Sequence, residues 1–90
     1  ILLAAELVNE SAHEVEAIHD KVVPIAQRTL TEVRAGYNRG GFTFLDVAAA
    51  ATALHEARVR MLRAAARHHD ARATLDRLTG RFAPLVQDAQ

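Results

Sequence analysis

Apolar residues recur along the first part of the chain at Val8, Ala12, Val15, Ile18, Val22, Ala26, Leu30, Val33 and Tyr37. The mean step is about 3.6 residues, the α-helical period, so one face of a helix over about residues 2–38 is apolar throughout. Pro24 falls inside this stretch. It lacks a backbone donor and crowds the carbonyl four residues earlier, which predicts a disturbance near residues 20–23. Because the stripe resumes in phase beyond the proline, the expectation is a kink, with a break into two helices as the alternative.

A stricter, seven-residue repeat begins at Val47. One row is Val47, Leu54, Met61, His68 and Leu75; a second, three residues further on, is Ala50, Ala57, Ala64, Ala71 and Leu78. Such a repeat predicts a helix over about residues 44–79 with a coiled-coil seam, and the small second row lets a partner helix approach closely. Between the two segments the first helix is expected to stop over residues 36–41, where Gly40 and Gly41 supply the left-handed conformation of a helix stop, and Thr43 followed by Asp46 reads as an N-terminal cap. The turn is placed at about residues 39–43. Glu or Gln is the usual fourth residue of a capping box, so Asp46 is a variant of that signal. Gly80 is expected to end the second helix, leaving residues 80–90, with Pro84, as a tail whose Phe82 and Leu85 continue both rows by number.

These elements define an all-α chain folded as one long antiparallel helical hairpin of coiled-coil type. A thin hairpin gives each helix neighbours on one side only, and chains of this size are marginal even when compact. Self-association into a helical bundle is therefore expected, as a dimer or higher, an antiparallel dimer being the simplest.

Composition narrows the chemistry. The chain has 90 residues, no cysteine and a formal net charge of zero, which excludes disulfide frameworks and thiolate chemistry and gives no general attraction for nucleic acid. The opening ILLAAELVNE carries Glu6 and Glu10 and no methionine start, so it reads as part of a longer protein rather than as a membrane span. Five histidines invite a metal reading. His13 and His19 are six residues apart, and His68 and His69 are adjacent, so none of these pairs has the three- or four-residue spacing that brings two rings to one ion on a helix. Glu10 with His13, and Glu16 with His19, have the E-x-x-H spacing of dimetal bundles, but such sites also need carboxylates from other helices. No metal or other cofactor is expected. His68 is a seam residue, whose protonation in mild acid is expected to weaken packing. Glu6, Glu10, Glu14, Glu16 and Asp20 make the first helix acidic, while Arg58, Arg60, Arg63, Arg67, Arg72 and Arg77 make the second basic. Interhelical ion pairs selecting partner and register are the plain consequence. No nucleophile and base are set together, so no enzyme is expected.

Pro24 and Ala26, then Arg34-Ala35-Gly36-Tyr37, Gly40, Leu45-Asp46-Val47, Leu54, Glu56-Ala57-Arg58 and Leu78-Thr79-Gly80 together resemble the TolC-like outer-membrane efflux factors. The similarity is greatest to the heavy-metal efflux branch and spans about residues 20–80. It implies a trimeric parent with an outer-membrane β-barrel and a periplasmic barrel of helices, the exit duct of a tripartite pump with an inner-membrane transporter and a periplasmic adaptor. This chain would be a structural wall segment of that duct, with residues 36–44, Gly36, Tyr37, Gly40, Gly41 and Thr43 among them, and the cap residue Asp46 just beyond, at the adaptor-facing tip. One departure stands out. Where the family commonly has L-D-A-Q-R after L-D-V, this chain has Ala48-Ala49-Ala50-Ala51-Thr52, so Asp46 matches one acidic tip position and Ala49 replaces another. The rival readings are a stand-alone dimerisation or scaffold module and a periplasmic metal-binding helical protein using its histidines.

Overall fold

The structure, a computed structural model, describes residues 1–80; the expectations for the tail, the return of Phe82 and Leu85 to the seam included, lie outside them. Three α-helices and one π-turn follow in order: α1 (Leu2–Ala17), the π-turn (Ile18–Val22), α2 (Val23–Asn38) and α3 (Phe44–Gly80). No strand occurs among the described residues. The fold is the all-α hairpin that the two periodicities predict, α1, π-turn and α2 forming one rod and α3 the other.

At Pro24 the rod is neither broken nor simply bent. The chain winds through one wide turn, in which the Val23 N–H bonds to the Ile18 carbonyl five residues back. Pro24 then stands in the first turn of α2, where its missing donor costs least. The wide turn has a packing consequence: Ile18 and Val23, five residues apart, are both in the core, while Ile25, a heptad beyond Ile18, is 57% exposed. Before the turn the innermost positions step by seven through Ala4, Ser11 and Ile18; after it they step by seven again from Val23 to Leu30.

The core is one narrow strip: Ile18, Val23 and Leu30 from the first rod against Ala50, Leu54, Ala57 and Ala64 from α3, flanked by Val15, Val22, Ala26, Val33, Val47 and Met61. Ala64 has no exposed surface at all, so the rods meet closely there, as the alanine row predicts. Val47, Met61, His68, Ala71, Leu75 and Leu78 line the same inner face but are only half-buried. None of the larger described side chains is completely enclosed, since two rods leave the inner face open along its flanks. At the far end α3 still includes Gly80, which is helical rather than left-handed.

Candidate functional site

The hairpin's distinctive end is its tip, and its geometry is built by two interlocked caps. α2 closes in a Schellman arrangement: the Gly41 N–H bonds the Gly36 carbonyl at 2.8 Å and the Gly40 N–H bonds the Tyr37 carbonyl at 3.0 Å. Gly40, the residue between, has φ +82°, a conformation that side chains other than glycine's resist. Two residues later α3 opens with a reciprocal box. Asp46 Oδ2 accepts from the Thr43 N–H at 2.9 Å and from Thr43 Oγ1 at 3.1 Å, while Thr43 Oγ1 accepts from the Asp46 N–H at 3.2 Å. The shorter aspartate thus does what Glu does in the usual box. One carboxylate oxygen of Asp46 is committed to holding the helix start.

This frame displays apolar rings to the outside. Phe42 lies over buried Gly36, where a Cβ would come within 2.6 Å of the Phe42 ring atom Cε2. Gly36 is therefore a seat for the ring. Tyr37 and Phe44 stack edge to face across the turn, centroids 6.4 Å apart. Tyr37, Phe42, Phe44 and Leu45 remain 44%, 45%, 67% and 78% exposed. Periodicity and turn chemistry single out Tyr37 and the glycines but pass over Phe42, Phe44 and Leu45, which break no period; the signal available was G-G-F-T-F itself, two rings bracketing a cap residue. Glycines and cap residues of the turn thus come together at one end, while the seam residues Val47 to Leu78 extend along the inner face of α3.

Along that seam, sequence periodicity alone did not reveal a polar contact. Ser11 is buried; its Oγ donates to the Val8 carbonyl at 3.0 Å and lies 2.9 Å from His68 Nδ1. The tautomer of the ring sets which of the two groups donates in this contact, since a hydroxyl can both give and accept.

The charged faces correct another expectation. Among the described residues one ion pair joins the rods, Arg67 with Glu14. Arg58, Arg60, Arg63 and Arg72 form no ion pair with the first rod. Helix geometry directs them along the flanks and outward, past the narrow contact. His19 Nδ1 lies 2.8 Å from Asp20 Oδ1 on the exposed side of the π-turn, and no group of three or more His, Asp or Glu converges as metal ligands among the described residues. Nor is any described helix long and apolar enough to cross a membrane.

The described residues thus form a long hairpin with a doubly capped, apolar tip. The chain is 30% identical over 81 residues to the cobalt-zinc-cadmium resistance protein CzcC of Cupriavidus metallidurans. The match takes in 90% of this chain and 19% of CzcC, so the chain spans about a fifth of that relative's length. No family model matches the chain, and no solved structure matches it.

Proposed function

We propose that this chain is a wall segment of the periplasmic helical duct of an outer-membrane metal-efflux channel, a passive part that shapes the exit path and performs no chemistry. In this reading the parent is a trimer in a tripartite pump, the outer flanks of the hairpin lie against neighbouring helices of the duct, and the tip meets the periplasmic adaptor that links the duct to the inner-membrane transporter. The observation that carries the reading is the doubly capped tip with Tyr37, Phe42, Phe44 and Leu45 turned outward, at the position where the family resemblance expects an adaptor. The similarity to a cobalt-zinc-cadmium resistance protein over most of the chain supports it.

The test is a graft. Residues of this chain replace the matched segment of CzcC in a Cupriavidus metallidurans strain deleted for that protein, and growth is followed in zinc, cobalt and cadmium. The reading requires restored resistance, and its loss when Tyr37, Phe42 and Phe44 are all changed to serine at unchanged protein level. A graft that accumulates normally but confers no resistance would refute it.

A further inference from the structure

Beside the π-turn a groove of about 520 Å³ runs between the two rods, open along one flank, with Val23 and Pro24 on one side and Met61 and Leu62 on the other. The wide turn builds the first wall: it turns Val23 into the core and leaves the half-buried Pro24 ring beside it at the edge. Across the gap Met61 is half-buried and Leu62 is 67% exposed. His19, Gln27 and Arg58 border this apolar surface. Arg58 forms no ion pair among the described residues, and no carboxylate lines the groove. Three other grooves along the rods differ in that respect, being lined by Glu16 and Asp20, by Glu10 and Glu14, and by Glu56. Asp20, the acid next to His19, is engaged with its Nδ1 at 2.8 Å and belongs to the first of those three.

We infer that this groove binds a small aromatic carboxylate, the ring system laid on Val23, Pro24, Met61 and Leu62 and the anionic group paired with Arg58. The inference goes beyond the wall reading, which gives the chain no ligand, and does not depend on it. The groove has the make-up of a small-molecule site, a mainly apolar surface of a few hundred cubic ångströms with a small number of polar groups at its border. The Met61 thioether favours an aromatic ring over an aliphatic chain. A planar carboxylate matches the guanidinium fork of Arg58, which offers two parallel N–H donors. With a guanidinium and no carboxylate at its border, the groove selects an anion over a neutral or cationic molecule of the same shape. Ring and charge are both needed, because an exposed ion pair contributes little alone and an open apolar wall by itself does not discriminate. Single wide turns within α-helices also recur at functional sites.

The test titrates matched indoles of different charge into the isotopically labelled 90-residue chain: indole-3-acetate, its neutral amide, and the cation tryptamine. Backbone amide shifts are followed by NMR. The acetate is expected to bind with a dissociation constant on the order of 1 mM, the strength of about a dozen non-hydrogen atoms in an open site. Its shifts should centre on Val23, Gln27, Arg58 and Leu62. The amide should bind roughly fivefold more weakly, the advantage of one well-paired exposed charge, and tryptamine more weakly still. Arg58→Gln should bring the acetate down to the level of the amide, and Arg58→Glu should place tryptamine ahead of the acetate. Arg58 is exposed, and circular dichroism checks that both variants keep their helicity. If either loses it, the ranking of the probes on the unaltered chain still decides. Shifts centred on the apolar tip, equal affinity for all the probes, or no shift at about 10 mM acetate, well above the expected dissociation constant, would each overturn the inference.

Discussion

At the scale of single residues, two positions carry more than their size suggests. A Cβ added at Gly40 would meet nothing within 4 Å, yet the residue's φ is +82°, so any cost of a side chain there is a backbone cost and not a clash. Gly40→Ala is expected to destabilise the hairpin by about 1 kcal/mol, and Gly40→Asn by clearly less, because asparagine tolerates the left-handed region better. Thermal melts followed by circular dichroism compare the two; equal losses would mean that the cap is not what the glycine serves. Ser11 and His68 form the other case. Their contact joins residues 57 apart in sequence, so a double-mutant cycle with Ser11→Ala and His68→Leu should return a coupling of about 0.5–1.5 kcal/mol, as for an ordinary hydrogen bond. A coupling indistinguishable from zero would show that the two side chains do not bond in solution.

At the scale of elements, the heptad of α3 was legible because one face of a long, uninterrupted helix repeats over several turns, and averaging suppresses the exceptions. The two caps were legible for a different reason: glycine at a left-handed position and Thr-x-x-Asp at a helix start are local chemistry that needs no partner. The π-turn was not legible, although Pro24 marked its neighbourhood. Its packing signature is a single five-residue step from Ile18 to Val23, and indexing through Val22 and Ala26 gave an equally regular stripe. Ser11 was missed because a serine in an apolar row reads as an interruption, even though it stands seven residues from both Ala4 and Ile18. The outward apolar tip escaped for want of any period to betray it. One substitution pair tests the seam directly. Ala64 has no exposed surface whereas Ala66, two residues on, is exposed. Ala64→Leu should force the rods apart and cost about 1–3 kcal/mol, while Ala66→Leu should change stability by less than about 0.5 kcal/mol. Similar melts for the two variants would contradict the close alanine contact.

At the scale of the whole molecule, the narrowness of the core decides how the chain behaves alone. Its buried strip is made of four small or medium residues on α3 and three on the first rod, while Leu2, Leu3, Ile25, Leu45 and Leu62 are all more than half exposed. Burial of an exposed leucine or isoleucine side chain is worth about 1.5–3 kcal/mol. A few such residues covered by a neighbour therefore rival the total of about 5–15 kcal/mol that ordinarily holds a folded domain. It follows that the hairpin's stability is tied to what covers it. If copies cover one another, binding acts on the folded form only, and stability must rise with the amount of protein by mass action, roughly 1.4 kcal/mol for each tenfold excess over the dissociation constant. The expected outcome is a midpoint of thermal unfolding that climbs steadily across a hundredfold range of chain concentration, about two decades of that relation. A midpoint that stays fixed over the range, with a sharp cooperative transition, would mean that two rods with one exposed flank each suffice, and that the bare apolar residues await a partner the isolated chain does not need.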